Sequence, residues 1–252
     1  MTLLSLRNLT VRRGECPVVD TASLSISAGE CVGLIGPNGA GKTSLLRGAL
    51  GLLPFEGTSN LADLSARDRA ARVAWLPQTR EIAWPMTVER VVALGRLPYL
   101  ARGAGLAGAD QDAVTAALKR MGLTAFRTRR ATELSGGEQA RVLIARTLAQ
   151  DTPLLMADEP IAGLDPAAQI ATLQVFQSLA GEGRAVLTSL HDLSLAARYC
   201  TRLVIIGSGR IVADGAPRDV LTPRILADVF HLKADIFATP QGPVVIPLGV
   251  LT

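Results

Sequence analysis

Residues Gly36-Pro37-Asn38-Gly39-Ala40-Gly41-Lys42-Thr43 decide the fold, with Ser44 following directly. They fit the phosphate-binding pattern Gly-x-x-x-x-Gly-Lys-Ser/Thr. The glycines let the backbone wrap so that its N–H groups face anionic oxygens. Lys42 then reaches the β- and γ-phosphates, and Thr43 offers its hydroxyl to Mg²⁺. The flanks agree with this. Residues 30–35, Glu-Cys-Val-Gly-Leu-Ile, read as a short buried strand. Residues 43–47, Thr-Ser-Leu-Leu-Arg, open a helix whose N-terminus meets the phosphates. A chance Gly-rich turn would not require a strand before it and a helix after it.

A chain of 252 residues holds one large domain or two small lobes. The apolar fraction of 48% is ample for a sizeable core, and the modest charged fraction argues against wholesale disorder. The net charge of +4 rests on arginine, since only Lys42, Lys119 and Lys233 are lysine. That excess points weakly to an acidic partner: nucleotide, lipid headgroup or nucleic acid. No run of five or more basic residues occurs, so a solvated surface is the better reading and no nucleic-acid partner is expected. Cys16, Cys31 and Cys200 are far apart and in no metal-ligand spacing, which suits a reducing compartment. Cys31, in the strand before the loop, reads as a small core residue. Residues 1–7 lack a basic segment leading into a long apolar one, so no signal peptide is expected. No apolar run reaches the roughly 18–20 residues that span a bilayer. The chain is expected to be soluble by itself, with any membrane role supplied by a partner.

Working outward, residues 4–11 and 23–27 alternate apolar and polar side chains, as half-buried antiparallel strands do. Residues 48–57 read as loop and turn, and residues 72–77 as a core strand stopped by Pro77. From Thr87 to Gln150 the pattern is mainly helical. One helix begins at Thr87 and is broken by Pro98, Gly103, Gly105 and Gly108. A second spans residues 110–121 with Gly122 as its stop, and a third spans 136–149 with Ser135 as N-cap. Short apolar runs then return at 154–157, 185–188 and 203–206, separated by helices at 166–180 and 193–199. Such alternation implies a parallel sheet covered on both faces. Residues 244–246 are a candidate edge strand. His231 reads as a helix-end residue rather than a ligand, and residues 233–252 carry no readable functional signal.

Asp158 and Glu159 end the strand at 154–157. Asp158 suits a Mg²⁺ ligand, and Glu159 a general base that polarises the attacking water. Leu134-Ser135-Gly136-Gly137-Glu138-Gln139 is a second anion site at a helix start. One nucleotide cannot easily use both devices of one chain. A head-to-tail dimer resolves this, with each nucleotide between one phosphate loop and the partner's Ser135 turn.

Together these motifs resemble the ATP-binding cassette (ABC) ATPases, the nucleotide-binding subunits of ABC transporters. The likeness covers residues 32–191 in the family's order. Residues 36–43 resemble Walker A, 154–159 Walker B and 134–139 the signature motif that faces the partner's γ-phosphate. Gln78 falls at the Q-loop glutamine, which contacts Mg²⁺ or the lytic water. Gly163-Leu164-Asp165 resembles the D-loop that crosses the dimer interface, and His191 falls at the switch histidine. The resemblance implies ATP and Mg²⁺ as cofactors. It makes Glu159, His191, Lys42 and Gln78 catalytic, and Thr43, Gln78 and Asp158 metal-holding. Residues 36–44, with Ser135, Gly137 and Asp165, would contact nucleotide. It implies an α/β P-loop NTPase core with a mostly parallel sheet, an N-terminal antiparallel β subdomain and a helical subdomain. The core lobe would be 1–84 and 151–252, the helical subdomain about 85–150, in one domain of 1–252.

Two positions depart from the family. An aromatic residue usually stacks on adenine near position 13, yet Arg12-Arg13 stand there and no aromatic residue precedes the phosphate loop. The Arg13 guanidinium is the expected replacement, with weak base discrimination. Ile161 stands where many members carry threonine, with little consequence expected. Residues 70–78, 87–98 and 192–199 are similar to ATPases that import iron–siderophore complexes, haem and cobalamin. Manganese and zinc importers share many of these cues, and a soluble ABC ATPase outside transport is the other alternative. The branch implies a second copy of the chain, polytopic permease subunits and, through them, an extracytoplasmic substrate-binding protein. The permease would dock near Gln78 and residues 84–100, placing the chain peripherally on the cytoplasmic face of the inner membrane.

Overall fold

A computed structural model describes residues 1–79, 81–100 and 105–251. The helix break expected at Gly103 lies outside them. Strands β1 (Thr2–Arg13) and β2 (Cys16–Ser27) form an antiparallel hairpin. Strand β3 (Cys31–Ile35) leads through the phosphate loop into α1 (Lys42–Ala49). Strand β4 (Glu56–Ser59) returns to pair with β1, and α2 (Ala66–Arg72) leads into β5 (Val73–Leu76). Three helices follow: α3 (Val88–Ala93), which continues as a 3-10 turn over Leu94–Tyr99, then α4 (Gly108–Arg120) and α5 (Gly136–Ala149). The chain then alternates β6 (Leu154–Ala157), α6 (Pro166–Gly181), β7 (Ala185–Ser189), α7 (Leu193–Tyr199) and β8 (Arg202–Gly207). It ends with β9 (Arg210–Gly215), α8 (Pro217–Val220), α9 (Pro223–Phe230), β10 (Leu232–Thr239) and β11 (Gly242–Val250).

The central sheet has the order β5-β6-β7-β3-β8-β9, parallel except for β9. Both faces are buried, and successive side chains divide between two cores, as the pleat requires. Cys31, Ile35, Leu155, Ala157, Val186, Leu203 and Ile205 pack with α3 to α7. Val32, Leu34, Leu154, Met156, Leu187, Val204 and Ile206 pack with α1 and the β1–β2 hairpin. The phosphate loop leaves the sheet between these layers, at the C-terminal end of β3. Ligands of open α/β sheets bind at that end of the strands.

The α/β architecture, the antiparallel N-terminal sheet and the mostly parallel core agree with the sequence reading. Three local readings change. Residues 56 and 57 are not loop but the start of β4. Residues 244–246 lie in β11 and pair with β10 in a separate two-stranded sheet. They cannot extend the central sheet beside β8, because β9 already occupies that edge. Strand β11 instead rests on α7, where the Val245 N–H donates to Ser194 Oγ at 3.1 Å. Residues 66–72, unassigned from sequence, form α2, capped by Ser65. His231 does end α9, in the left-handed region at φ +53°. Among the described residues, no helix is long and apolar enough to cross a membrane.

Candidate functional site

Two glycines of the phosphate loop are sterically required. A Cβ on Gly36 would overlap the Ile206 carbonyl, and one on Gly41 the Val18 carbonyl. Gly41 also sits at φ +103°, where side chains are strained. It stands at the N-cap of α1 and supplies no capping side chain. The first-turn N–H groups of α1 therefore remain available to an anion, with the helix dipole behind them. Lys42 is buried, and its Nζ donates to the carbonyls of Gly36 at 2.7 Å and Pro37 at 3.0 Å. Burial lowers the pKa of its ammonium, against the opposing pull of Glu159 and Asp158. Ala40 is buried and anchors the loop, accepting from Gly209 N–H at 3.2 Å.

A cleft of about 300 Å³ opens over this loop. Six residues of the loop and its following helix line it, from Asn38 to Ser44 without Ala40, together with Arg13 and Val18 of the β1–β2 hairpin and with Gln78 and Glu159. The β1–β2 hairpin carries Arg13 there, as the replacement of an adenine-stacking aromatic requires. A second cavity adjoins, lined in part by Thr43, Gln78 and Asp158. The three side chains expected to hold Mg²⁺ thus share one space.

The strand register explains the acid pair. Ala157 on β6 lies opposite Thr188 on β7, so Asp158 meets Ser189. Ser189 Oγ donates to Asp158 Oδ1 at 2.6 Å and accepts from the Glu159 N–H at 2.8 Å. Asp158 Oδ2 is buried with no hydrogen-bond partner among the described residues. An orphaned carboxylate oxygen beside a hydroxyl and an amide is a hard-oxygen set, and Mg²⁺ takes such ligands together with substrate phosphates. Glu159 adopts φ +49°, turning its side chain out of the strand direction. Its Oε1 lies 2.6 Å from His191 Nε2. Asp158 and Glu159 are therefore aimed differently, one toward Thr43 and Gln78, the other into the cleft toward His191. Ser189 had no assigned role in the sequence. Its only signal there is a hydroxyl at the end of the strand before His191.

Ser135, Gly137 and Asp165 do not line this cleft. Ser135 is exposed and caps α5 in a reciprocal box with Glu138: Glu138 N–H donates to Ser135 Oγ, and Ser135 N–H to Glu138 Oε2 at 2.8 Å. Gly137 follows in the first turn of α5. Asp165 caps α6, accepting from Ala168 N–H at 2.9 Å. One chain thus gathers Arg13, residues 36–44, Gln78, Asp158, Glu159 and His191, while the Ser135 turn stays outside the cleft, its Gly136 lining a separate cavity with Gln78.

Residues 19–162 match the family described as ABC transporter. The cobalamin import ATP-binding protein of Halobacterium salinarum is 43% identical over 246 residues, covering 94% of this chain but 61% of that protein. The chain therefore spans less than two thirds of that relative. The hemin import ATP-binding protein of Bordetella pertussis is 41% identical over 255 residues, with 95% of this chain and 96% of that protein covered. Among solved structures, an inward-facing putative metal-chelate type ABC transporter superposes with TM-score 0.85 over 99% of this chain and 98% of its own. At 24% identity that likeness concerns the fold alone. A dimeric post-hydrolysis ATP-binding cassette with ADP and phosphate gives TM-score 0.74 at 27% identity, over 85% of this chain and 99% of its own.

Proposed function

The chain belongs to the ABC transporter family, and from that premise we propose that it binds and hydrolyses ATP in an importer for an iron complex, haem or cobalamin. The observation that carries the chemistry is the Glu159–His191 contact of 2.6 Å at the cleft over the phosphate loop. The importer branch is supported by the hemin and cobalamin import relatives.

In this reading ATP lies with its phosphates on residues 36–44 and its base beside Arg13. Lys42 leaves the Gly36 and Pro37 carbonyls to meet the β- and γ-phosphates, whose charge favours its protonated form. Thr43, Gln78 and Asp158 would hold Mg²⁺, which when bound would supply positive charge beside the phosphates. Glu159 accepts a proton from the attacking water, and His191 orients Glu159 and faces the γ-phosphate. Positioning and electrostatics supply most of the acceleration.

A second copy, arranged head to tail, contributes Ser135, Gly137 and Asp165. The exposed signature turn supports this: it caps α5 in its own chain, and Ser135 takes no part in lining that chain's cleft. The dimeric cassette with ADP and phosphate is a precedent for two copies. Loss of the γ-phosphate removes charge from the interface and opens it. The helices of about 85–150 form the subdomain that moves against the core lobe of 1–84 and 151–252. Trp84, Leu97 and Tyr99 are exposed there, a surface suited to a cytoplasmic helix of a permease. Through that permease the chain sits on the cytoplasmic membrane face and serves an extracytoplasmic substrate-binding protein.

The test uses tagged Glu159→Gln protein isolated with ATP and Mg²⁺ from detergent-solubilised membranes, followed by mass spectrometry. A co-isolated polytopic membrane protein is the expected result, and its identity narrows the substrate. Recovery with ribosomes or soluble proteins alone would contradict the importer assignment.

A further inference from the structure

Arg96 is a buried cation with no place in the nucleotide cleft. Its Nε donates to Asp110 Oδ1 of α4 at 2.9 Å. Its Nη1 donates to the carbonyls of Ala149 at 2.9 Å and Gln150 at 3.3 Å. Those carbonyls end α5, where orphan acceptors and the negative end of the helix dipole favour a cation. The neighbouring Gly95 packs its backbone against the Arg146 carbonyl, and a Cβ there would overlap it. The 3-10 turn over Leu94–Tyr99 thus closes the C-terminus of α5 from outside the helix. Two connections leave this junction. The Tyr99 ring, 37% exposed, lies 4.1 Å from the Arg96 guanidinium carbon. Gln150 Nε2 donates to the carbonyls of Ala70 at 2.6 Å and Val73 at 3.2 Å, at the entrance to β5.

We propose that Arg96 is a positioning residue that joins the exposed Leu97–Tyr99 edge to both ends of the catalytic machinery. Helix α5 is a rod of about 21 Å, and the Ser135 turn is its far end. Strand β5 ends directly before Pro77 and Gln78. A displacement of the Tyr99 edge therefore moves Ser135 through α5 and Gln78 through Gln150 and β5. This inference rests on the ATP-hydrolysing reading of the cleft and adds Arg96, Asp110 and Gln150 to it.

Arg96→Met alone strands the Asp110 charge and risks misfolding. Arg96→Met/Asp110→Asn removes that charge, and Asn keeps an oxygen for the Ala107 N–H that Asp110 Oδ2 accepts at 3.3 Å. In the full chain, this folded double variant should bind a fluorescent ATP analogue within about twofold of wild type. Its ATP turnover should fall by about tenfold to a hundredfold, the scale of a small misplacement remote from the chemistry. Arg96→Lys, which keeps the charge beside Asp110, should recover part of that loss. Wild-type turnover by the double variant would overturn the proposal. Amide hydrogen exchange over residues 73–79 gives an independent readout. It should quicken in the double variant, and unchanged exchange there would overturn the proposal whether or not the protein hydrolyses ATP. A wild-type chain without ATPase activity would count against the cleft reading alone, leaving exchange to decide the role of Arg96.

Discussion

Ser189 carries more of the site than its place in the sequence suggests. Its hydroxyl satisfies one oxygen of a buried carboxylate and the N–H of Glu159, which sits in left-handed backbone. Ser189→Ala leaves both groups without that partner, at a cost of about 1–3 kcal/mol in stability. Urea unfolding should show that loss, and ATP turnover should fall with it as Glu159 drifts from His191. Unchanged stability would mean that water replaces the hydroxyl at no cost. Arg13 makes a second prediction at this scale. A guanidinium stacked on a base contributes on the order of 1 kcal/mol and does not distinguish adenine from guanine. GTP should therefore be hydrolysed at a rate comparable to ATP, and Arg13→Ala should weaken both nucleotides alike. Hydrolysis of GTP far below that of ATP would argue against a stacking Arg13. Lys42, Thr43 and the Asp158–Glu159 pair were legible from local spacing, because a phosphate loop and an acidic strand end are local devices, whereas Gln78, His191 and Arg13 were reached through the family resemblance. Ser189 was reached by neither, because its partner lies 31 residues away and only the β6–β7 register brings them together.

At the scale of elements, legibility followed burial. The strands at 154–157 and 185–189 and the helices at 136–149 and 193–199 have apolar patterns that match their buried faces. Strand β4 escaped because only Ser59 among its four residues is buried, so its sequence carries no alternation. Strands β9 and β10 escaped for the same reason, being largely exposed or half-buried, and of β11 only residues 244–246 were read as strand. Several elements are fastened by carboxylates held below the usual carboxylate range. A hydrogen bond from Arg127 does this for Glu89, from Arg96 for Asp110, from the Ser135 backbone for Glu138 and from Arg120 for Glu182. Each group binds its proton more weakly when folded than when unfolded. Its contribution is thus present above the ordinary range near pH 4 and is lost as pH falls through the folded value. The melting temperature should hold steady from neutral pH to about pH 5 and drop below about pH 4. These groups are in part solvent-screened, so the fall should be gradual. A melting temperature constant down to pH 3 would contradict the pairing.

For the whole molecule, the sequence announced two phosphate-binding devices and the fold separates them. The cleft holds Lys42, Gln78 and Glu159, while the Ser135 turn caps a helix outside it. In the proposed function a partner copy completes the site, so the decisive measurement is made on two copies. The direct measurement is the association state and hydrolysis of wild-type and Glu159→Gln protein with ATP and Mg²⁺, by light scattering and phosphate release. Wild type should hydrolyse ATP and stay mainly monomeric. Glu159→Gln should lose turnover by at least about a hundredfold and accumulate as a dimer that ADP does not support. A Glu159→Gln protein that stays monomeric while binding ATP, or that hydrolyses it at the wild-type rate, would contradict the shared site.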